Sequence, residues 1–352
     1  MKVARLYDYL DIRIEEEPVP RPGPREALVR TRACGICSGD VVPWYIRKKA
    51  PLVFGHEPAG EIVEVGAEVT HLRPGMRVFV HHHAPCLRCR ACQRGEFVQC
   101  PTWRASHLVP GGMAEYFRVP EINLFGDTLV LPAHVSDEDG ALVEPTACVV
   151  KSLQRAGNLA GASVLIIGLG VMGQLHVVLA RHLGARLVLG TDLIATRCAW
   201  ARRLGADHVI DAATNDMAQH VKELTAGAGA EIVIVGPATV EALQAGLACV
   251  ASGGTVVQFM GTPPDTYVKL SLNDLYFREI RLVPSYSCGP LETRAALRYL
   301  SAGIVSASQV VTHRFPLSAA AEAYRVTAQD KSALKALVTF KDEATRAVAP
   351  GA

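Results

Sequence analysis

The sequence predicts an α/β protein in two parts, a β-rich region with many turns and a doubly wound parallel sheet. Three observations predict it. Short strand-like runs broken by Gly and Pro fill the first third of the chain. From Ala162 onward, short apolar runs alternate with helical patterns, the texture of a parallel sheet with helices on both faces. Near the start of that second region, Gly168-Leu-Gly170-Val-Met-Gly173 closes one apolar run and opens a helix.

The 352 residues suffice for two domains and a large buried core. Hydrophobic residues make up 49% and charged residues 20%, which excludes a disordered chain. Lys plus Arg is 36 and Asp plus Glu 34, a net of +2, so neither nucleic acid nor an anionic membrane surface is an expected partner. The opening MKVARLYDYLDIRIEEE has no long apolar run and does not read as a leader. Residues 163–180 are apolar enough to suggest a membrane span, but their glycines, Gln174 and His176 fit a strand, turn and helix better. Ten cysteines without a leader imply a reducing cytoplasm, where metal ligands or core residues are expected over disulfides.

In order along the chain, EALVRTRA (26–33), GEIVEVGAEV (60–69) and GMRVFV (75–80) read as strands of the β-rich part. SVLIIG (163–168) is a strand and MGQLHVVLARHL (172–183) a helix. RLVLGTD (186–192) and ATRCAWARRLG (195–205) repeat the pair. DHVI, EIVIVG and TVVQFMG follow as strands with helices between, and REIRLVPS is a candidate sixth. From about Leu291 two helical stretches lead to a last strand in LKALVTF.

The glycines at 168, 170 and 173 gain weight from context: strand before, helix after, and Asp192 at the end of the second strand. Glycines there let the backbone, with Val171 and Met172 opening the helix, approach a pyrophosphate at a positive helix terminus. Asp192 can accept from both hydroxyls of an adenosine ribose and would repel a 2′-phosphate, which favours NAD over NADP. Arg197 either lies over the adenine or is a solvated helix residue.

Two groups of residues suit metals. Cys86, Cys89, Cys92 and Cys100 crowd into one loop, which favours a closed structural zinc site; an iron–sulfur cluster or free thiols are the alternatives. The C-x-x-C at Cys34 and Cys37 stands apart from His56, Glu57 and Glu144, yet together they could supply the three protein ligands of an open, catalytic zinc.

The GICSGD stretch, GHE at 55–57, the four-cysteine loop, EP at 144–145, GLGVMG and VTHRF at 311–315 occur in the order found in the zinc-dependent medium-chain dehydrogenases, which the chain resembles over nearly its whole length. The resemblance implies a GroES-like β-rich catalytic domain (1–151 and 287–352) around a Rossmann domain (152–286). It implies two zinc ions per chain and NAD. It gives the catalytic zinc to Cys37, His56 and one or both of Glu57 and Glu144, leaves Cys34 to the core, and makes Asp40 the carboxylate that orients His56. Glutamate at 144 resembles the polyol and threonine dehydrogenase branch, as does His83 three residues before the first loop cysteine. Lys335 falls where the family often has a basic residue near the pyrophosphate. Trp44 and Tyr45 are candidate pocket residues. The usual proton-relay positions hold Gly39 and Val42, so Ser38, His83 or water beside the glutamates must serve instead. The implied activity is hydride transfer from a secondary alcohol of a polyol or amino alcohol to NAD, by a cytoplasmic homo-oligomer, tetramer or dimer. A primary-alcohol or aldehyde-oxidising enzyme and a non-catalytic nucleotide-binding relative are the alternatives.

Overall fold

The computed structural model describes residues 1–340. The chain forms two compact units: Met1–Glu144 with Gly289–Ser301 and the segment from Val311, and Pro145–Cys288 with Ala302–Val310. The expected boundaries at 151/152 and 286/287 thus fall at 144/145 and 288/289, and the short return of 302–310 was not anticipated. Residues 341–352 of the expected catalytic domain lie outside the described residues.

The first unit is built on a seven-stranded sheet. Its path runs Val311–Pro316, Lys335–Thr339, Ala27–Gly35, Glu57–Val65, Arg77–Val80 and Thr128–Val130, with Tyr116–Val119 also paired to Ala27–Gly35. A three-stranded sheet of Asp11–Glu16, Lys2–Asp8 and Leu52–Val53 lies beside it in the same unit. The opening hairpin is absent from the sequence reading, because its strands are charged and carry no long apolar run; Arg5 instead pairs across strands with Glu15, at 2.8 Å, and Glu17. Alternation puts Val29, Ile62, Val78, Val80 and Phe117 inward, where they form one core cluster. A second cluster gathers Ile36, Ile46, Phe54, Met113 and Tyr324 with Cys34. Burial pushes the Cys34 thiol up to about 12, so it stays protonated as a core residue.

The second unit is a six-stranded, all-parallel sheet. Its order is His208–Asp211, Leu187–Asp192, Ser163–Ile167, Ala230–Val235, Val250–Gln258, Arg281–Pro284. Numbered along the chain this is 3-2-1-4-5-6, the Rossmann order, with its switch point beside Ser163–Ile167. All five residues of that central strand are buried, as its unbroken apolar run requires. REIRLVPS does supply the sixth strand.

Candidate active site

Cross-strand register makes the first cluster. Ala27–Gly35 runs antiparallel to Glu57–Val65 with Gly35 opposite Glu57. Cys37, two residues past the end of one strand, therefore meets His56, one residue before the start of the other. Cys37, His56 and Glu57 bring their ligand atoms within 4.8 Å of one another. Cys37 also caps the 3₁₀ turn Ser38–Val41, its Sγ accepting from the Gly39 amide at 3.3 Å. That turn buries Asp40, whose Oδ2 lies 3.4 Å from His56 Nδ1, and Tyr324 OH donates to the Asp40 carbonyl at 2.6 Å. Burial alone would pull His56 down. Asp40 and Cys37 outweigh it and raise His56 well above its usual value. The surroundings favour positive charge at this point, as a metal centre needs.

The same sheet brings Lys335 to Glu57. Leu337 stands opposite Gly35, which places Lys335 at the end of the paired segment. Both side chains are buried, and the ammonium pairs with the Glu57 carboxylate and donates to the Ile36 carbonyl at 3.0 Å. Burial raises Glu57, with Lys335 and His56 opposing; burial lowers Lys335, but Glu57 and Cys37 leave it raised. The expected place for Lys335 beside a pyrophosphate is corrected here. A fully buried ammonium already holding a carboxylate and a carbonyl is a support of the metal-site residues.

Glu144 opens the helix Val143–Ala156 and is buried. Its carboxylate gathers with His81 and His82, all ligand atoms within 4.8 Å. His82 faces His56, ring centroids 4.8 Å apart, and its Nδ1 is buried without a hydrogen-bond partner. Of the three successive histidines the sequence reading singled out only His83. The structure reverses that emphasis. His83 Nδ1 donates to the Ser106 carbonyl at 2.6 Å, its ring lies 4.2 Å from that of Trp103, and burial pushes it down to about 3. A group held neutral so firmly is a poor acid-base partner at neutral pH. Ser38 is exposed at the start of the 3₁₀ turn. Trp44 and Tyr45 pack edge to face at 5.6 Å on the next turn, with Lys49 over Tyr45. The signal for His82 was its place in the run His81-His82-His83, where only the neighbours each ring meets in the fold tell the three apart.

The second cluster is the loop from Cys86 to Cys100. All four sulfurs lie within 4.8 Å, with Cys89–Cys92 at 3.5 Å and Cys86–Cys100 at 3.6 Å. Zn–S bonds of about 2.3 Å at tetrahedral angles put sulfurs roughly 3.8 Å apart, so the set fits zinc. Backbone N–H groups of Arg88 and Cys89 pull the Cys86 thiol down to about 6, toward the thiolate a metal needs. Val98 and Trp103 back the loop, and the four thiols fill a closed coordination shell.

In the second unit, Gly168 takes φ +88°, and a Cβ at Gly173 would stand 2.0 Å from the Gly168 carbonyl. At Gly170 the nearest atom to an added Cβ is Arg197 Nη1 at 3.9 Å, so the face above this loop is open. Gly170 caps the helix Val171–His182, with Val171 and Met172 at its positive end. Asp192 Oδ2 accepts from the Leu169 amide at 2.7 Å and Oδ1 from Ile194 at 2.9 Å. A carboxylate keeps further lone pairs for a ribose after two such bonds. Arg197 is half-buried over the loop, its Nε without a hydrogen-bond partner, which departs from a solvated helix residue. This cradle fits a dinucleotide.

Comparison with known proteins gives the family. Residues 23–127 match the alcohol dehydrogenase GroES-like domain and residues 171–302 the zinc-binding dehydrogenase domain. Sorbitol dehydrogenase of Gallus gallus is 33% identical over 329 residues, 90% of each chain. Among solved structures, a zinc-binding dehydrogenase of Sinorhizobium meliloti 1021 bound to NADP superposes with a TM-score of 0.87 at 29% identity, covering 96% of this chain and 98% of that one. The 2R,3R-butanediol dehydrogenase of Bacillus subtilis gives 0.84 at 25% identity, covering 96% and 99%. The chain belongs to the zinc-binding alcohol dehydrogenase family.

Proposed function

We propose that this dehydrogenase oxidises a secondary alcohol of a polyol or an amino alcohol, with NAD as acceptor. Cys37, His56 and Glu144, with Glu57 beside them, hold the catalytic zinc, and Cys86, Cys89, Cys92 and Cys100 a structural one. One observation carries this reading: the sheet register converges Cys37, His56 and Glu57 on a buried point, with Asp40 behind His56.

When bound, zinc supplies a Lewis acid for the substrate hydroxyl and the nicotinamide a hydride acceptor. The chain's own groups prepare the place. Asp40 accepts from His56 Nδ1 and leaves Nε2 as the coordinating nitrogen. Lys335 fixes the Glu57 carboxylate in the same buried wall. The four-cysteine loop has no open position and does no chemistry. Asp192 and the open face at Gly170 receive the adenosine half of the cofactor, and Leu193, not a basic residue, follows Asp192. The identity of the Gallus gallus sorbitol dehydrogenase and the fold of the butanediol enzyme support a polyol or diol as substrate class. We place the protein in the cytoplasm, where the cysteine loop stays reduced. Among the described residues, no helix is long and apolar enough to cross a membrane. We also propose that it acts as a homo-oligomer.

The test is an initial-rate screen of sorbitol, xylitol, inositols, 2,3-butanediol, threonine and simple primary alcohols with NAD and with NADP. A secondary alcohol of the polyol or amino-alcohol class with NAD should give the highest kcat/KM. A primary alcohol ahead of all of these, or NADP ahead of NAD, would overturn the assignment.

A further inference from the structure

We propose that Tyr324 is a positioning residue, a single side chain that holds the segment carrying Cys37 against the segment carrying His56. The inference rests on the reading of Cys37 and His56 as ligands of the catalytic zinc. Tyr324 belongs to neither segment and comes 284 residues after Asp40. Its helix, Ala320–Gln329, buries Ala320, Ala323 and Tyr324, the i, i+3, i+4 spacing of one face. Two alanines keep that face low, and Tyr324 reaches inward from it with no exposed surface.

The hydroxyl acts on the Cys37 side. Cys37 caps the 3₁₀ turn Ser38–Val41, and Asp40, which stands behind His56, lies in it. Were the turn to continue, the Asp40 carbonyl would accept from the N–H three residues on. That residue is Pro43, which has no N–H to give. The Tyr324 hydroxyl donates to this carbonyl instead, at 2.6 Å. Burial and the Asp40 carboxylate raise the phenol, so it stays a donor. Gly39 makes the tie matter. Its backbone lies outside the left-handed region, and the nearest atom to an added Cβ is Cys37 Sγ at 3.5 Å, an ordinary contact. Nothing here requires a glycine, so Gly39 adds freedom between the ligand and the carboxylate that orients His56.

The ring acts on the His56 side. It packs edge-on against Phe54, with centroids 5.9 Å apart, and against Tyr9 at 6.4 Å. Phe54 stands two residues before His56 and Ile36 one before Cys37, and both share a buried cluster with Tyr324. The His56 segment is already firm. The Phe54 and Gly55 carbonyls accept from the Met113 and Gly112 amides at 2.9 and 2.8 Å. Tyr324 therefore ties the freer turn to a fixed wall.

The test compares the wild-type holoenzyme with Tyr324→Phe, which keeps the ring and removes the hydroxyl. Zinc released to a chelating dye should appear in two phases, one for the Cys37 site and one for the four-cysteine loop. A Cys37→Ser chain identifies the first phase by lacking it. Tyr324→Phe strands the Asp40 carbonyl and should speed that phase about tenfold, equivalent to about 1.4 kcal/mol. The loop phase should not change. With cobalt in place of zinc, the visible d–d bands of the Cys37 site should shift as its geometry relaxes. A first phase that is unchanged or slower, unshifted bands, or both phases speeded alike would overturn the positioning role. So would a Tyr324→Phe chain that no longer folds, since the hydroxyl would then serve the whole core. Failure of the underlying reading shows separately, as a Cys37→Ser chain that keeps two zinc equivalents.

Discussion

Lys335 carries a buried charge into a wall that holds a buried carboxylate, and neither group has water to fall back on. Such a pair contributes little net stability, but removing one partner strands the other. Lys335→Met should therefore lower the unfolding free energy by about 3–5 kcal/mol in a urea titration, the range for breaking a buried pair. Adding Glu57→Gln should restore most of the loss, since the stranded charge is then gone. A single Lys335→Met as stable as the wild type would show that the pair does not hold in solution. The ligand types at Cys37, His56, Glu57 and Glu144 were legible in the sequence because metal chemistry restricts the residue choice. The roles of Lys335 and of the three histidines were not. Each depends on which face of a strand or turn is buried, and a motif position does not carry that information. Asp127, which holds His81, offered no local signal, because 46 residues separate the two.

At the scale of elements, the Cys86–Cys100 loop is a structure that its own backbone can scarcely define. It contains one turn of helix at Arg90–Gln93 and a 3₁₀ turn at Phe97–Gln99. Leu87 takes φ +59°, a left-handed conformation that a non-glycine residue adopts only under constraint. The cross-link by four thiolates supplies that constraint. A cross-link closing a loop of about 15 residues is worth about 3 kcal/mol by chain entropy. Cys86→Ser should lose one zinc equivalent and about that much stability, read as metal content and urea midpoint on the same sample. Full retention of zinc would remove Cys86 from the ligand set. The loop was legible because spacing alone brings its cysteines close. The catalytic cluster needed register. Nothing in GICSGD or GHE states that Gly35 pairs with Glu57, and the antiparallel pairing only becomes visible in the assembled sheet. The Rossmann strands read well for the opposite reason: buried on both faces, they are nearly continuous apolar runs.

At the scale of the whole molecule, the second unit presents apolar side chains that its own core does not use. Tyr267, Leu272, Tyr276 and Phe277 are between 73% and 83% exposed, and the helix Leu272–Phe277 buries no residue at all. Tyr276 and Phe277 stack edge to face at 5.1 Å, so they form a patch and not scattered exceptions. The helix is followed directly by Arg281–Pro284, the last strand at the edge of the six-stranded sheet. Large apolar patches of this kind mark interaction surfaces, and an open sheet edge invites pairing. We propose that the homo-oligomer put forward above is joined through this face. Fully burying a large side chain is worth about 1.5–3 kcal/mol, so losing two anchors should weaken association at least about a hundredfold. Tyr276→Asp combined with Phe277→Asp should halve the particle mass or more at micromolar concentration in sedimentation or light scattering. The substituted residues face outward, so NAD binding by the second unit should persist, and its loss would point to misfolding instead. A wild-type chain that is monomeric at that concentration, or a doubly substituted chain of unchanged mass that still binds NAD, would remove this face from the assembly.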